Sequence, residues 1–254
     1  MPPLLLIIFG FTFIFFMTSL GASVVFLFKK PIENNLNSFI LGLASGIMMS
    51  ASVWSLLLPA LSLNESLGKF KIVPVIVGLF LGSLFIMALD RLIPFNSNLN
   101  NSKRKFAKLF VAITLHNIPE GLSVGFVFGL ASFAPSTVTM ASALALSVGI
   151  GLQNAPEGAT VALSYKSIGG GRFKSFLLGS ASGAIEPVFA IIGFFMASLL
   201  SSIQPWLLAF SAGAMIFVII EELIPDSKNA IDEHIGTWGF MAGFIIMMIL
   251  DICL

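Results

Sequence analysis

Charge is what this sequence has least of. Only 10% of its 254 residues are Asp, Glu, Lys or Arg, and 57% are hydrophobic, whereas a soluble domain carries about a quarter charged residues to cover its surface. That scarcity excludes a water-soluble globular class. With 13 Lys and Arg set against 12 Asp and Glu, there is no basic face for a nucleic acid. Cysteine is nearly absent as well: Cys253 stands alone, so neither a disulfide framework nor a thiolate metal site is available, and any metal must be held by nitrogen and oxygen. Histidine occurs only at His116 and His234, neither of which begins the HExxH pattern of a zinc protease. No Ser/His pairing suggests a nucleophile, and the chain is expected not to be an enzyme.

What the sequence does have is long apolar runs. They fall at about 4–28, 37–62, 72–94, 107–131, 136–164, 175–201, 205–224 and 236–254. A run of about 20 residues crosses the ~30 Å hydrocarbon core as a helix, and only a helix satisfies the backbone there. The expected fold class is therefore an all-α membrane protein of eight transmembrane helices, one transmembrane unit over 1–254 with little chain left for any domain outside the bilayer. The first run lacks a basic n-region, and Lys29 and Lys30 follow it, so it is expected to remain as a helix rather than be removed as a signal peptide. When loops are assigned alternately to two sides, one side holds every Lys and Arg except Lys69 and Lys71. The positive-inside rule then places that side in the cytoplasm and both termini outside. Pro94 to Lys105 is Asn/Ser-rich, ends in a basic run, and reads as a linker.

Two internal similarities stand out. The second and third runs read ASGIMM…LLLPA followed by Gly78, Gly82 and Asp90; the seventh and eighth read SAGAMI…EELIPD followed by Gly239, Gly243 and Asp251. With alternating helix directions the two copies are inverted, as in many secondary transporters, although glycine-rich apolar helices can also resemble one another by chance. Small residues four apart, at Gly121, Gly125 and Gly129, at Ala145 and Gly149, and at Gly179 and Gly183, let helix backbones approach closely in lipid. The row on the fifth run continues into Gln153 and Glu157.

The second similarity carries the chemistry. The fourth run contains His116-Asn117-Ile118-Pro119-Glu120-Gly121, and the fifth contains Gln153-Asn154-Ala155-Pro156-Glu157-Gly158. Spacings of three and four put each polar pair on the same side of its helix as its glutamate. The sixth run adds Glu186-Pro187. A charge at bilayer depth costs about 2.5 to 3.5 kcal/mol, so three carboxylates cost roughly 8 to 10 kcal/mol unless neutralised. With no Lys or Arg inside these runs, a bound cation or protons must do it. Each proline also frees the carbonyl four residues earlier, at Leu115, Leu152 and Gly183, to line a cavity. A metal site and a proton relay both remain open on this reading. So do two readings of Glu221, Glu222 and Asp226, with Asp232, Glu233 and His234 beyond: a release path or a solvated helix end. Met48 and Met49 read as packing residues with a soft foothold for metal as the alternative.

The paired HNxPEG-type motifs, the Glu-Pro of the sixth run and the EELIP of the seventh resemble the ZIP family of divalent-metal transporters, in its bacterial GufA-like branch. The resemblance covers nearly the whole chain. It implies a multi-pass carrier of the cell membrane, often a homodimer, that takes up Zn²⁺, Cd²⁺, Fe²⁺ or Mn²⁺ into the cytoplasm as substrate rather than cofactor. It further implies a two-metal site: one ion on His116, Glu120, Gln153 and Glu157, the other on Asn117, Glu120, Asn154, Glu157 and Glu186. Many members have His at the position of Gln153, a carboxylate can replace Asn154, and the His-rich loop common before the fourth helix is missing. The ligand set suits Zn²⁺ and its neighbours and disfavours Cu⁺. A cation/proton antiporter using the same glutamates is the alternative.

Overall fold

The computed structural model describes residues 2–29, 33–92, 101–133, 138–200, 203–228, 232 and 234–253. These form eight helical spans and, among the described residues, no strand. They are α1 (Pro3–Leu27), α2 (Asn34–Ser62), α3 (Ile72–Leu92), α4 (Asn101–Phe133), α5 (Met140–Ser167), α6 (Arg172–Gly183 and Ile185–Leu200), α7 (Gln204–Ser227) and α8 (Ile235–Cys253). The greater part of the expected linker, 94–100, lies outside the described residues. Its basic end is helical, because α4 starts at Asn101 and runs for 33 residues, about 50 Å at 1.5 Å per residue. The basic turn Lys103 to Lys108 is thus an overhang of a helix longer than the hydrocarbon core. Helix α5 starts at Met140 rather than 136: the Thr139 hydroxyl accepts from the Ser142 amide at 3.1 Å and the Ser142 hydroxyl accepts from the Thr139 amide at 3.2 Å, a reciprocal cap.

Seven spans are long and apolar enough to cross a membrane. The eighth, α5, has 28 residues and is diluted by Gln153, Asn154, Glu157 and several serines. Burial explains how it tolerates them, because protein rather than lipid surrounds it. The same sorting holds elsewhere: the apolar stretches of α2, α4 and α7 are 61, 61 and 56% buried, those of α1, α3, α6 and α8 only 22 to 33%. Phe9, Phe16, Phe80, Phe195, Trp238 and Ile249 face outward, as a lipid-facing surface requires, while Thr18, Ser45, His116, Glu120, Gln153 and Glu157 are shut inside.

Helices associate in four parallel pairs: α2 with α8, α4 with α6, α1 with α5, and α3 with α7. Glycine lets each pair touch backbone to backbone. A methyl group on Gly46 would strike the Phe240 carbonyl, on Gly125 the Ala190 carbonyl, on Gly158 the Thr18 carbonyl, and on Gly82 the Phe210 carbonyl.

Proline acts differently in different helices. Helices α4 and α5 stay α-helical through Pro119 and Pro156. Helix α6 breaks at Ala184, between Gly183 and Ile185, because Pro187 has no N–H for the Gly183 carbonyl. Helices α2 and α7 widen instead into π-helical turns, Ser52–Leu57 and Ile219–Leu223, shortly before Pro59 and Pro225. Such π turns concentrate at functional sites.

Candidate metal centre

The seven candidate residues come from three helices, and all are fully buried: His116, Asn117 and Glu120 on α4, Gln153, Asn154 and Glu157 on α5, and Glu186 on α6. Donor atoms of His116, Glu120 and Glu157 lie within 4.8 Å of one another, a spacing that can hold a metal ion. His116 Nε2 stands 3.3 Å from Glu157 Oε2. Gln153 Nε2 donates to Glu120 Oε1 at 2.5 Å. Each motif's first residue therefore reaches the other motif's glutamate. Glu186 is held apart from this trio by its own donors, Asn154 Nδ2 at 2.5 Å and Thr18 Oγ1 at 3.5 Å.

The two asparagines are anchored by their amide nitrogens. Asn117 donates to the Ser182 carbonyl at 3.0 Å, at the α6 break, and Asn154 donates to the Ile14 carbonyl of α1 at 3.4 Å. Their oxygens are left over. In this cluster Asn117 Oδ1, Asn154 Oδ1, Gln153 Oε1, Glu120 Oε2, both carboxylate oxygens of Glu157 and both ring nitrogens of His116 are buried with no hydrogen-bond partner. Leaving one such group unmet costs about 1 to 3 kcal/mol, more when charged. Six oxygen acceptors and an imidazole gathered without protein donors present the electron pairs that a divalent cation takes up.

Among the described residues no Lys or Arg pairs with the three glutamates. Met48 is fully buried in the apolar cluster that includes Ile113, Val161 and Met215, with Met49 against it, as packing predicts. Of the acidic set on α7, Glu221 is exposed and Asp226 pairs with Lys105 of α4 at 3.2 Å. Asp232 accepts from the His234 amide at 3.0 Å, a local cap, and Glu233 lies outside the described residues. Thr18 went unnoticed in the sequence. Its signal was slight, a hydroxyl with a small residue three positions on (Gly21) in an apolar helix.

The family described as ZIP Zinc transporter matches residues 95–251, more than half of the chain. The zinc transporter GufA of Myxococcus xanthus is 36% identical over 93% of this chain and 94% of its own length. The chain belongs to the ZIP zinc transporter family. Zinc transporter ZIP11 of Homo sapiens is 30% identical over 96% of this chain and 95% of that protein. Zinc transporter ZIPB of Bordetella bronchiseptica is 34% identical over 94% of this chain and 78% of that protein. The family match takes in α4 to α8 and both motifs, and the relatives carry the likeness across the three helices before them. In this ZIP protein the duplicated motif thus gathers most of the buried side-chain polar atoms that lack a hydrogen-bond partner among the described residues.

Proposed function

We propose that this ZIP protein carries divalent transition-metal ions, Zn²⁺ foremost, across the cell membrane into the cytoplasm through a two-metal centre. His116, Glu120, Gln153 and Glu157 form one site; Asn117, Asn154 and Glu186 form the second with the same two glutamates, which bridge the ions. One observation carries the reading: two carboxylates, Glu120 and Glu157, and one imidazole converge with full burial, a third buried carboxylate stands beside them, no Lys or Arg pairs with them among the described residues, and several acceptor atoms are unmet. A cation of charge two or more offsets the cost of keeping those carboxylates ionised at this depth.

The centre sits midway between two cavities. From His116 it is about 15 Å along α4 to Phe106, which lines one of them, and about as far to Val127, which lines the other, at 1.5 Å per residue. The cavity beside Phe106 carries Lys105, so the weight of basic residues makes it the cytoplasmic mouth and leaves both termini outside. An inverted repeat relating α2–α3 to α7–α8 is supported by the helix pairs, since exchanging α2 with α7 and α3 with α8 turns the α2–α8 pair into the α3–α7 pair. The unit is a single carrier, working alone or as a homodimer.

Purified protein in liposomes tests the assignment. Glu120→Ala and Glu157→Ala reduce Zn²⁺ uptake to the level of empty vesicles while the elution profile and helical content stay those of the wild type. Normal transport by either variant overturns it.

A further inference from the structure

Helix α5 passes from one cavity to the other through the metal centre. Gly149 lines the cavity at one end, and Ser164 and Ser167 line the cavity beside Lys105. Gln153 and Thr160 fall between them on the same row, at whole-turn steps along the helix. Thr160 is fully buried, and its Oγ1 has no hydrogen-bond partner. That sets it apart from Thr12, Thr18 and Thr114, whose hydroxyls each donate to the carbonyl four residues earlier at 2.7 to 3.2 Å. Three other shielded hydroxyls lack a partner among the described residues. Ser50 and Ser211 stand a turn from Trp54 and Leu208, toward the opposite cavity, and Ser180 is on α6, which supplies no lining residue to either cavity among the described residues. Burying a hydroxyl without a partner destabilises a fold, so packing gives no reason for Thr160.

Between the centre and the cavity beside Lys105 the neighbouring side chains are apolar: Met48 of α2, Ile113 of α4, Val161 of α5 and Ile219 of α7 belong to one buried cluster. An ion that leaves Glu157 in that direction gives up its carboxylate ligands before the polar wall of Asn34, Asn37 and Ser164 is within reach. Apolar side chains offer a divalent cation nothing in exchange. At 1.5 Å per residue, Thr160 lies about 5 Å along the axis from Glu157 and about 6 Å from Ser164. We propose that Thr160 is a stepping ligand: its hydroxyl oxygen holds the departing Zn²⁺ midway between the centre and the cytoplasmic cavity and so divides one long transfer into two short ones. A neutral hydroxyl suits the task because it binds weakly, and an ion must be able to leave it. The direction of travel rests on the transport reading above; that Thr160 lies within reach of the metal does not.

Thr160→Val keeps the shape of the side chain and removes the oxygen. In liposomes its maximal rate of Zn²⁺ uptake falls about fivefold or more, the worth of one lost polar contact. Its affinity for Zn²⁺ in equilibrium dialysis stays that of the wild type, and Thr160→Ser keeps the full rate. The valine variant melts no lower than the wild type, since no hydrogen bond is lost. A second variant, Thr160→Cys in a Cys253→Ser background, places a strong ligand at the same point. Titrated with Cd²⁺, the purified protein shows a thiolate-to-cadmium ultraviolet absorption that Cys253→Ser alone lacks, and this reading stands in if Thr160→Val does not fold. Wild-type turnover by Thr160→Val, an equal loss of rate in Thr160→Ser, or absence of the cadmium band overturns the proposal. So do rate and affinity that fall together in Thr160→Val, which assigns the hydroxyl to the centre itself. If the wild type moves no metal while Thr160→Cys shows the band, Thr160 remains within reach of the bound ion and the transport reading falls instead.

Discussion

Helices α4 and α5 present the same six-residue pattern, yet each is fixed to a different neighbour. Asn117 of α4 is tied to the backbone of α6, and Asn154 of α5 to α1 and to the carboxylate of Glu186. The leading residues differ more: α4 brings an imidazole toward Glu157, and α5 brings an amide that donates to Glu120. Duplication supplies the geometry, and the unequal first position supplies the chemistry. A neutral imidazole is a strong ligand for Zn²⁺, whereas the amide of Gln153 supports a carboxylate and offers only a weak carbonyl oxygen.

That inequality can be broken by making the motifs alike. The largest effect is expected of His116→Gln, which leaves two glutamine-led motifs and no nitrogen ligand: affinity for Zn²⁺ in equilibrium dialysis falls by roughly a hundredfold or more, beyond what loss of a mere supporting contact produces. A change confined to the pH profile of transport, with binding intact, would point to proton exchange. Next, Gln153→His gives both motifs an imidazole, and competition assays are expected to show Zn²⁺ favoured over Mn²⁺ several-fold more strongly than in the wild type.

Smaller effects sharpen the contrast between the asparagines. Asn154→Ala removes a donor to Glu186, and metal affinity is expected to drop about tenfold. Asn117→Ala removes a neutral oxygen ligand and frees a backbone carbonyl but leaves every carboxylate its donors, and the loss is nearer fivefold, the worth of about 1 kcal/mol. Equal losses would show that Glu186 does not depend on Asn154. The smallest contrast concerns packing. Gly158→Ala drives a methyl into the Thr18 carbonyl, while Gly149→Ala meets nothing nearer than the Ser55 hydroxyl at 3.9 Å. In detergent the first is expected to melt at a clearly lower temperature, and the second within the ±0.5 kcal/mol of a neutral substitution.

Much of this was legible because lipid simplifies the code. Apolar length marked the helices, and i, i+4 spacing forecast that His116 and Glu120, and Gln153 and Glu157, would share a side. Less legible was anything decided by partners. Three prolines followed by Glu, Glu or Val read alike, but α4 and α5 hold their helix through Pro119 and Pro156 while α6 breaks near Pro187: each proline removes the same hydrogen bond, and the surrounding packing decides whether the helix opens. The π turns before Pro59 and Pro225 left no pattern in hydropathy, since one extra residue in a turn changes register and not composition. Thr18 was invisible because its role comes from α6, far away in the chain.

The glycine contacts also bear on compliance. Where main chain rests on main chain, no side chain is left to swivel, so each pair behaves as one thick strut. Strain entering one member passes to its mate nearly undiminished. The yielding surface of the molecule is then the boundary where α4 and α5 meet α2 and α7, cushioned by side chains and opening into a hollow at either end, and deformation during a transport cycle concentrates there.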